Sequence, residues 1–257
     1  MNTAAYLERI GVSGGELAQD LPTLALLQRQ HLLSVPFENL DIHWGRRIRL
    51  DVERFYTKIV EEHRGGFCYE LNGLFNELLK GLGFDTRLVS ARVARPDGTF
   101  TEEYDHAAII VTLGPDEYLV DVGFGSFASS QLALVFDEEQ QDPTGIYVVR
   151  KHDGDYIEVV KKNGDSWQGE YIFTPAARDL SEFAARCDWQ QDSPDSHFKK
   201  GKLCSIMTVN GRTTLTDRSF LVTDGESKME TPVSSEQEFY EYLEREFSIT
   251  NGYGLYA

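Results

Sequence analysis

Cysteine is scarce: the three in 257 residues, Cys68, Cys187 and Cys204, are too few and too scattered for a disulfide framework, and no Cys-x-x-Cys pair offers a zinc site. No run approaches the ~18 apolar residues that a membrane-spanning helix needs. The amino terminus, Met1 to Arg9, carries charge and has no apolar core, unlike a signal peptide or an anchor. These absences point to a reduced, cytoplasmic setting with no bound metal. Positive charge is also in deficit, 25 Lys and Arg against 42 Asp and Glu, for a formal net charge of −17. A field of that sign repels nucleic acid and anionic membrane surfaces, so neither is expected as a partner. Repeats and low-complexity segments are lacking too. What the chain does have is 41% hydrophobic and 12% aromatic residues, enough for a packed core.

The most informative stretch is Arg64-Gly65-Gly66-Phe67-Cys68-Tyr69-Glu70-Leu71-Asn72. From Phe67 the apolar residues recur as Leu71, Leu74, Phe75, Leu78, Leu79 and Leu82, the spacing of one helical face. Cys68 therefore stands in the first turn of a helix, where unpaired N–H groups and the helix dipole favour a thiolate. Gly65 and Gly66 remove two side chains just before it, so that a ligand or another backbone can come close. A lone cysteine is more often a small buried hydrophobe. Two later residues argue for chemistry. His106 opens the apolar run Ala107 to Val111, and Asp121 lies in Tyr118-Leu119-Val120-Asp121-Val122-Gly123-Phe124-Gly125. Cys, His and Asp in that order, on a helix, a strand and a strand, form the arrangement of a papain-like or transglutaminase-like nucleophile.

Helices are predicted over 3–10, 22–34, 52–62, 67–82, 179–190 and 234–247, the last begun by a capping box of Ser235 and Glu238. Phe37 to Asp41, after Pro36, reads as an extended piece or turn. Past Phe84 the pattern becomes β, with strands at 87–93, 106–113 and 118–124, then at 131–135, 146–150, 155–161 and 167–173, and a meander over 203–223. Short strands so spaced suggest a barrel-like antiparallel sheet. The fold class is thus α+β: a helical bundle over 1–86 carrying the nucleophile, a β-barrel-like domain over 87–190 carrying His and Asp, and an α/β lid over 191–257. With Gly114 facing Glu117 across the 106–124 hairpin, Asp121 falls opposite Ile110. His106 and Asp121 then share a face but stand four residues apart, roughly 13 Å at ~3.3 Å each. A tighter turn, a bulge or strong twist has to close that gap.

The Cys68 block together with Asp121-Val122-Gly123-Phe124-Gly125 resembles the arylamine N-acetyltransferases, as do Val35-Pro36-Phe37-Glu38-Asn39-Leu40 and the region from Ser193-Pro194 to Thr216. The resemblance implies an enzyme that passes an acetyl group from acetyl-coenzyme A, a co-substrate rather than a bound cofactor, through a Cys68 thioester to an arylamine, arylhydrazine or similar amine. It implies Cys68, His106 and Asp121 as catalytic, and Phe37, Phe124 and Phe198 as walls of the acceptor pocket; by pattern alone Phe37 reads as core. Glu38, Glu70 and Asn72 match motif positions and are expected to support the site, although Glu70 also suits the helix dipole. A coenzyme A thioester is itself a polyanion, so its phosphates need a local basic patch on this acidic chain. Lys199, Lys200 and Lys202 are the densest positive cluster, with Arg92 and Arg95 second. The remaining histidines, His31, His43, His63, His152 and His197, read as surface or satisfied residues. The expected partners are a small amine and an acyl-coenzyme A, and the expected assembly is a monomer or weak homo-oligomer. The same triad serves a cysteine protease, a transglutaminase, an amide synthase or another acyltransferase of this core, and a binding protein with dead chemistry is the remaining alternative. Transfer to an amine requires water to be kept from the thioester, a task for residues 200–257.

Overall fold

The spacing of Leu71, Leu74, Phe75, Leu78 and Leu79 winds into helix α5 (Cys68–Gly81), and all five side chains are buried. The computed structural model describes residues 1–13, 15 and 17–250. Ahead of α5 come α1 (Thr3–Arg9), α2 (Leu21–Ser34), the two-residue β1 (Phe37–Glu38), α3 (Leu40–His43) and α4 (Val52–Tyr56), which runs on as a π-helical turn over Thr57–Glu61. Asp20 caps α2 by accepting from the Thr23 N–H at 2.9 Å, and Pro22 occupies the first turn, where an N–H is not needed. Tyr6, Leu24, Leu27, Phe55 and Leu74 close the core between these helices. His31 belongs to that core. It is fully buried, its Nδ1 is 3.1 Å from the Tyr6 hydroxyl, and its ring meets Phe75 edge-on at 5.1 Å.

Strands β2 (Asp85–Val93), β3 (His106–Leu113), β4 (Asp116–Val120), β5 (Leu132–Ala133), β6 (Glu139–Asp142), β7 (Gly145–Lys151), β8 (Ile157–Asn163) and β9 (Ser166–Phe173) form one antiparallel sheet in the order β5-β4-β3-β2-β9-β8-β7-β6. The sheet curls into a nearly closed barrel. Its two edges meet through the Gln140 amide, which accepts from the Ala133 N–H at 2.7 Å and donates to the Ala133 carbonyl at 2.9 Å. Strand β3 is buried on both faces: Ala108 and Ile110 pack inside the barrel with Tyr147, Val159 and Tyr171, while Ile109 and Val111 pack with the helices. Two-sided burial explains why its sequence runs apolar without alternating.

The β3–β4 turn is tighter than the sequence reading placed it. Leu113 pairs with Asp116 across a two-residue turn, with Gly114 at φ +61° as the first position of such a hairpin prefers. Ile110 accordingly faces Leu119, and continuing that register sets Asp121 level with Ala108, two residues from His106 instead of four. Strand β4 ends at Val120, and the predicted strand through 124 is replaced by irregular chain. The other departures are also local. The predicted helix over 179–190 is a 3-10 turn at Leu180–Phe183 followed by α6 (Ala184–Asp192). The strands Glu139–Asp142 and Ser227–Pro232, and helix α3, were not anticipated; the two strands are polar and lie at sheet edges, so no apolar alternation marks them.

The second sheet contains β10 (Leu203–Met207), β11 (Gly211–Thr216), β12 (Ser219–Asp224) and β13 (Ser227–Pro232), with β1 as its first strand: Phe37 pairs with Ser205 and Glu38 with Cys204. The helical part and the carboxy-terminal part therefore share a sheet. Helix α7 (Glu236–Phe247) covers it with Phe239, Leu243 and Phe247. Ser235 caps α7 by accepting from the Glu238 N–H at 3.1 Å, and the Glu238 carboxylate accepts from the Ser234 N–H at 2.7 Å. Among the described residues no helix is long and apolar enough to cross a membrane.

Burial lowers the His31 imidazole from 6.5 to about 3, with Arg9 adding to the effect. The folded protein therefore excludes a proton that the unfolded chain takes up. Its contribution to stability is fully present above pH 6.5 and is lost as pH falls toward 3, by about 1.4 kcal/mol per unit. Urea midpoints measured between about pH 6 and pH 4 should fall less steeply in His31→Gln than in the wild type. Equal slopes would show that another group governs acid unfolding.

Candidate active site

Cys68, His106 and Asp121 come together at the junction of α5 and the barrel, and they are 3%, 2% and 1% exposed. His106 opens β3, and its Nε2 lies 2.6 Å from the Asp121 Oδ2. Three other donors fix the same carboxylate: Asn72 Nδ2 at 2.8 Å and the Gly123 N–H at 2.9 Å, both to Oδ1, and the Tyr171 hydroxyl at 3.1 Å to Oδ2. A carboxylate with four donors is a stable buried acceptor. Its hold on Nε2 leaves the lone pair of His106 on Nδ1.

Asn72, one helical turn after Cys68, ties the site together. Its Nδ2 also donates to the Ala107 carbonyl at 2.6 Å, and its Oδ1 accepts from the Val122 N–H at 2.9 Å. One amide thus joins α5 to β3 and to the 121–123 segment. The absence of a side chain at Gly123 is required here: a Cβ would come within 2.8 Å of the Cys68 Cα and of the Asn72 Nδ2. Gly65 answers to a different neighbour. A Cβ there would lie 2.0 Å from the Pro36 carbonyl oxygen, so the close approach is by another backbone and not by a ligand.

Cys68 begins α5, as the periodicity predicts, and the Phe67 N–H is capped by the Glu70 carboxylate at 3.1 Å. The expected bias toward thiolate is overcome by the surroundings. Burial pushes the thiol well above its ordinary value, the Asp105 carboxylate adds to this, and only the Ala107 N–H is a sizeable opposing influence. A lone anion is disfavoured in so closed a place. Transfer of the thiol proton to a neighbouring base avoids this cost in part, because the total charge of the site stays the same.

The thiol opens on a cavity of about 600 Å³ whose walls include Phe37, His106, Phe124, Phe198, Leu203 and Arg212. All three sequence-predicted aromatics are therefore around it. Phe198 is placed by its backbone carbonyl, which accepts from Asn39 Nδ2 and lies 2.9 Å from His43 Nε2; its ring stands 6.1 Å from Phe37. Phe124 stacks edge-on against His106 at 5.1 Å and against Tyr171 at 5.1 Å. Tyr171 and Gln190 are not singled out in the sequence, Asn39 stands within the Val35-to-Leu40 block without a role of its own, and His43 reads as a surface or satisfied residue. The inward face of the 167–173 strand is a signal for Tyr171, whereas the Phe198 partner of Asn39 and His43 lies more than 150 residues away in the chain.

Glu38 and Glu70 lie behind Cys68 in a buried ionic cluster with Asp41, Lys58 and Arg64, all at most 5% exposed. Lys58 Nζ reaches Asp41 at 2.9 Å and Glu70 at 3.0 Å, and Arg64 reaches Glu38 at 2.6 Å and Asp41 at 2.9 Å. Burial holds the Glu70 carboxyl up at about 7 even with Lys58 beside it. The three lysines of the basic run do not line the cavity. Lys202 is paired with Asp217 at 2.8 Å and packed over Phe239, while Lys199 and Lys200 are exposed. Arg95 does line it, although its guanidinium is hydrogen-bonded to the Phe100 carbonyl at 2.6 Å. Arg92 donates to the Thr101 carbonyl and lies over Tyr156.

A family model described as N-acetyltransferase matches residues 20–252. The chain is 32% identical to the arylamine N-acetyltransferase pineal gland isozyme NAT-3 of Gallus gallus, over 97% of this chain and 94% of that protein. Its fold is similar to that of a Mycobacterium smegmatis N-arylamine acetyltransferase, with a TM-score of 0.91 at 29% identity over 99% of this chain and 96% of the other. It is similar as well to the Mycobacterium marinum arylamine N-acetyltransferase in complex with CoA, with a TM-score of 0.88 at 28% identity over 96% and 93% of the two chains.

If the thiol depends on His106 for its anion, Asp121→Asn should slow alkylation of Cys68 by iodoacetamide near pH 6 by roughly a hundred-fold while the far-ultraviolet circular dichroism is kept. Equal alkylation rates from pH 5 to 8 would separate Asp121 from the reactivity of the thiol.

Proposed function

The chain belongs to the arylamine N-acetyltransferase family, whose enzymes acetylate arylamines with acetyl-coenzyme A, and we propose that in this member the acetyl group travels on Cys68. The observation that carries the reading is the contact of His106 Nε2 with Asp121, beside a thiol that opens on an aromatic cavity. Nδ1 of His106 takes the proton from Cys68, and the sulfur attacks the thioester carbonyl of acetyl-coenzyme A. Unpaired N–H groups at the start of α5 receive the oxyanion. Collapse breaks the bond to the coenzyme sulfur, which leaves with the proton held by His106, and Cys68 keeps the acetyl group. One thioester replaces another, so the exchange is near balance.

An arylamine is uncharged near neutral pH and attacks the acetyl-cysteine directly. His106 accepts the amine proton and returns it to the departing Cys68 sulfur, so the products are an amide and the free thiol. Asp121 stays ionised throughout and stabilises the imidazolium. Phe37, Phe124 and Phe198 receive the aromatic ring and, with Leu203 of the second sheet, keep water from the thioester. In this division of labour the helical part supplies the nucleophile, the barrel supplies the base and its carboxylate, and the carboxy-terminal part supplies a wall.

Intact-protein mass after mixing with acetyl-coenzyme A and no amine should rise by one acetyl group. The gain should vanish in Cys68→Ser and on addition of an arylamine to the wild type. Acetyl found on Cys187 or Cys204 instead would refute the assignment.

A further inference from the structure

Asp105 stands immediately before His106, is buried, and contributes to the wall of the cavity above Cys68. Its carbonyl oxygen is 4.0 Å from the Cys68 sulfur and accepts from the Tyr69 hydroxyl at 3.3 Å. After burial, its carboxylate is the largest influence holding the Cys68 thiol up. A carboxylate in that place works against the chemistry that the rest of the site serves, because it disfavours a second negative charge beside it. Helix α6 answers it. Arg186 Nε donates to Asp105 Oδ1 at 2.6 Å. Gln190, one turn further along the same helix face, donates to that oxygen at 3.0 Å and to the Asp105 carbonyl at 2.9 Å. The Arg186 guanidinium carbon also lies 3.8 Å from the centre of the Trp189 ring, a second contact that fixes its place.

The other titratable groups packed around Cys68 and Asp105 are Tyr69 on α5, His106 on β3, Asp121 after β4, Cys187 on α6, and His197 in the turn before β10, with Lys200 near His197. Burial holds the His197 imidazole below its ordinary value, so it is no substitute for a cation there. A guanidinium stays charged at every working pH, and among the described residues Arg186 is the cation within ion-pair distance of Asp105. We propose that Arg186 is a positioning residue for the chemistry at Cys68: paired with Asp105, it offsets the carboxylate beside the sulfur, so that the thiol proton passes to His106 Nδ1 without a bare negative charge opposing the thiolate. The assignment rests on Cys68 being the thiol that reacts. It gives the Asp105 carboxylate a use as well. Through Arg186 and Gln190 it ties α6, and the turn carrying Phe198 that follows, to the start of β3, and the guanidinium makes that tie electrically neutral.

The test follows alkylation of Cys68 by iodoacetamide, an uncharged reagent, from pH 5 to 9, with peptide mass spectrometry locating the label. In Arg186→Gln the midpoint of the rate-against-pH curve should rise by about one unit, a ten-fold change in the ionisation constant. In Asp105→Asn, where the carboxylate is gone and the guanidinium remains, the midpoint should fall. The double variant Asp105→Asn/Arg186→Gln removes both charges and should return close to the wild-type midpoint, and Arg186→Lys should stay near it. A residue that only anchored α6 would leave the midpoint where it is in Arg186→Gln, or would show no recovery in the double variant, and either result overturns the proposal. If Arg186→Gln does not fold, Asp105→Asn decides the matter, and an unmoved or raised midpoint there overturns it. Label on Cys187 or Cys204 in place of Cys68 in the wild type would overturn the reading of Cys68 as the reacting thiol, and this proposal with it.

Discussion

The Asp121 carboxylate is the constraint on which the rest of the site depends. A buried carboxylate without partners is strongly unfavourable, so it must collect donors, and the four it finds come from four places: β3, α5, the segment after β4, and β9. Satisfying that one charge joins the helical part to the barrel. It also fixes the distance between His106 and the start of α5, because Asn72 bonds to Asp121 while standing one turn from Cys68. The order of the site follows from the electrostatics of a single group.

Burial has a second consequence. The closure that keeps water from the cavity wall at Cys68 also removes solvation from a Cys68 anion, and the helix start does not compensate. In the proposed mechanism reactivity belongs to the Cys68–His106 pair, since moving a proton within it leaves the total charge of the site unaltered. The ionic cluster behind the helix works differently. Lys58 and Arg64 satisfy Glu38, Asp41 and Glu70, and through these they hold β1, α3 and the first turn of α5 in one position. Glu70 caps the Phe67 N–H as part of that cluster, so the helix that carries Cys68 begins where the buried charges require it to.

Charge is distributed by the same logic over the whole molecule. Lys58, Arg64, Arg87, Arg186 and Lys202 each meet a carboxylate within ion-pair distance. Runs of adjacent lysines are poor guides in such a protein: Lys202 finds Asp217 and is neutralised there.

Much was legible in the chain by itself. The three-four spacing after Phe67 determined α5 and the place of Cys68 in its first turn, because that periodicity has one economical burial. The apolar run after His106 and the short strands that follow determined an antiparallel barrel, and the family motifs marked Cys68, His106, Asp121 and the three phenylalanines. Tertiary structure decided what depends on contacts distant in sequence. The two-residue turn at Gly114-Pro115, set by sheet register, brought Asp121 level with Ala108 and within reach of His106. The polar edge strands formed because neighbouring strands offered backbone partners, which leave no mark in hydrophobic pattern. Tyr171, Asn39 and His43 joined the site through hydrogen bonds whose partners lie elsewhere in the chain. Local sequence encodes which face an element buries; which charges and hydrogen-bonding groups then meet is settled only when those faces pack together.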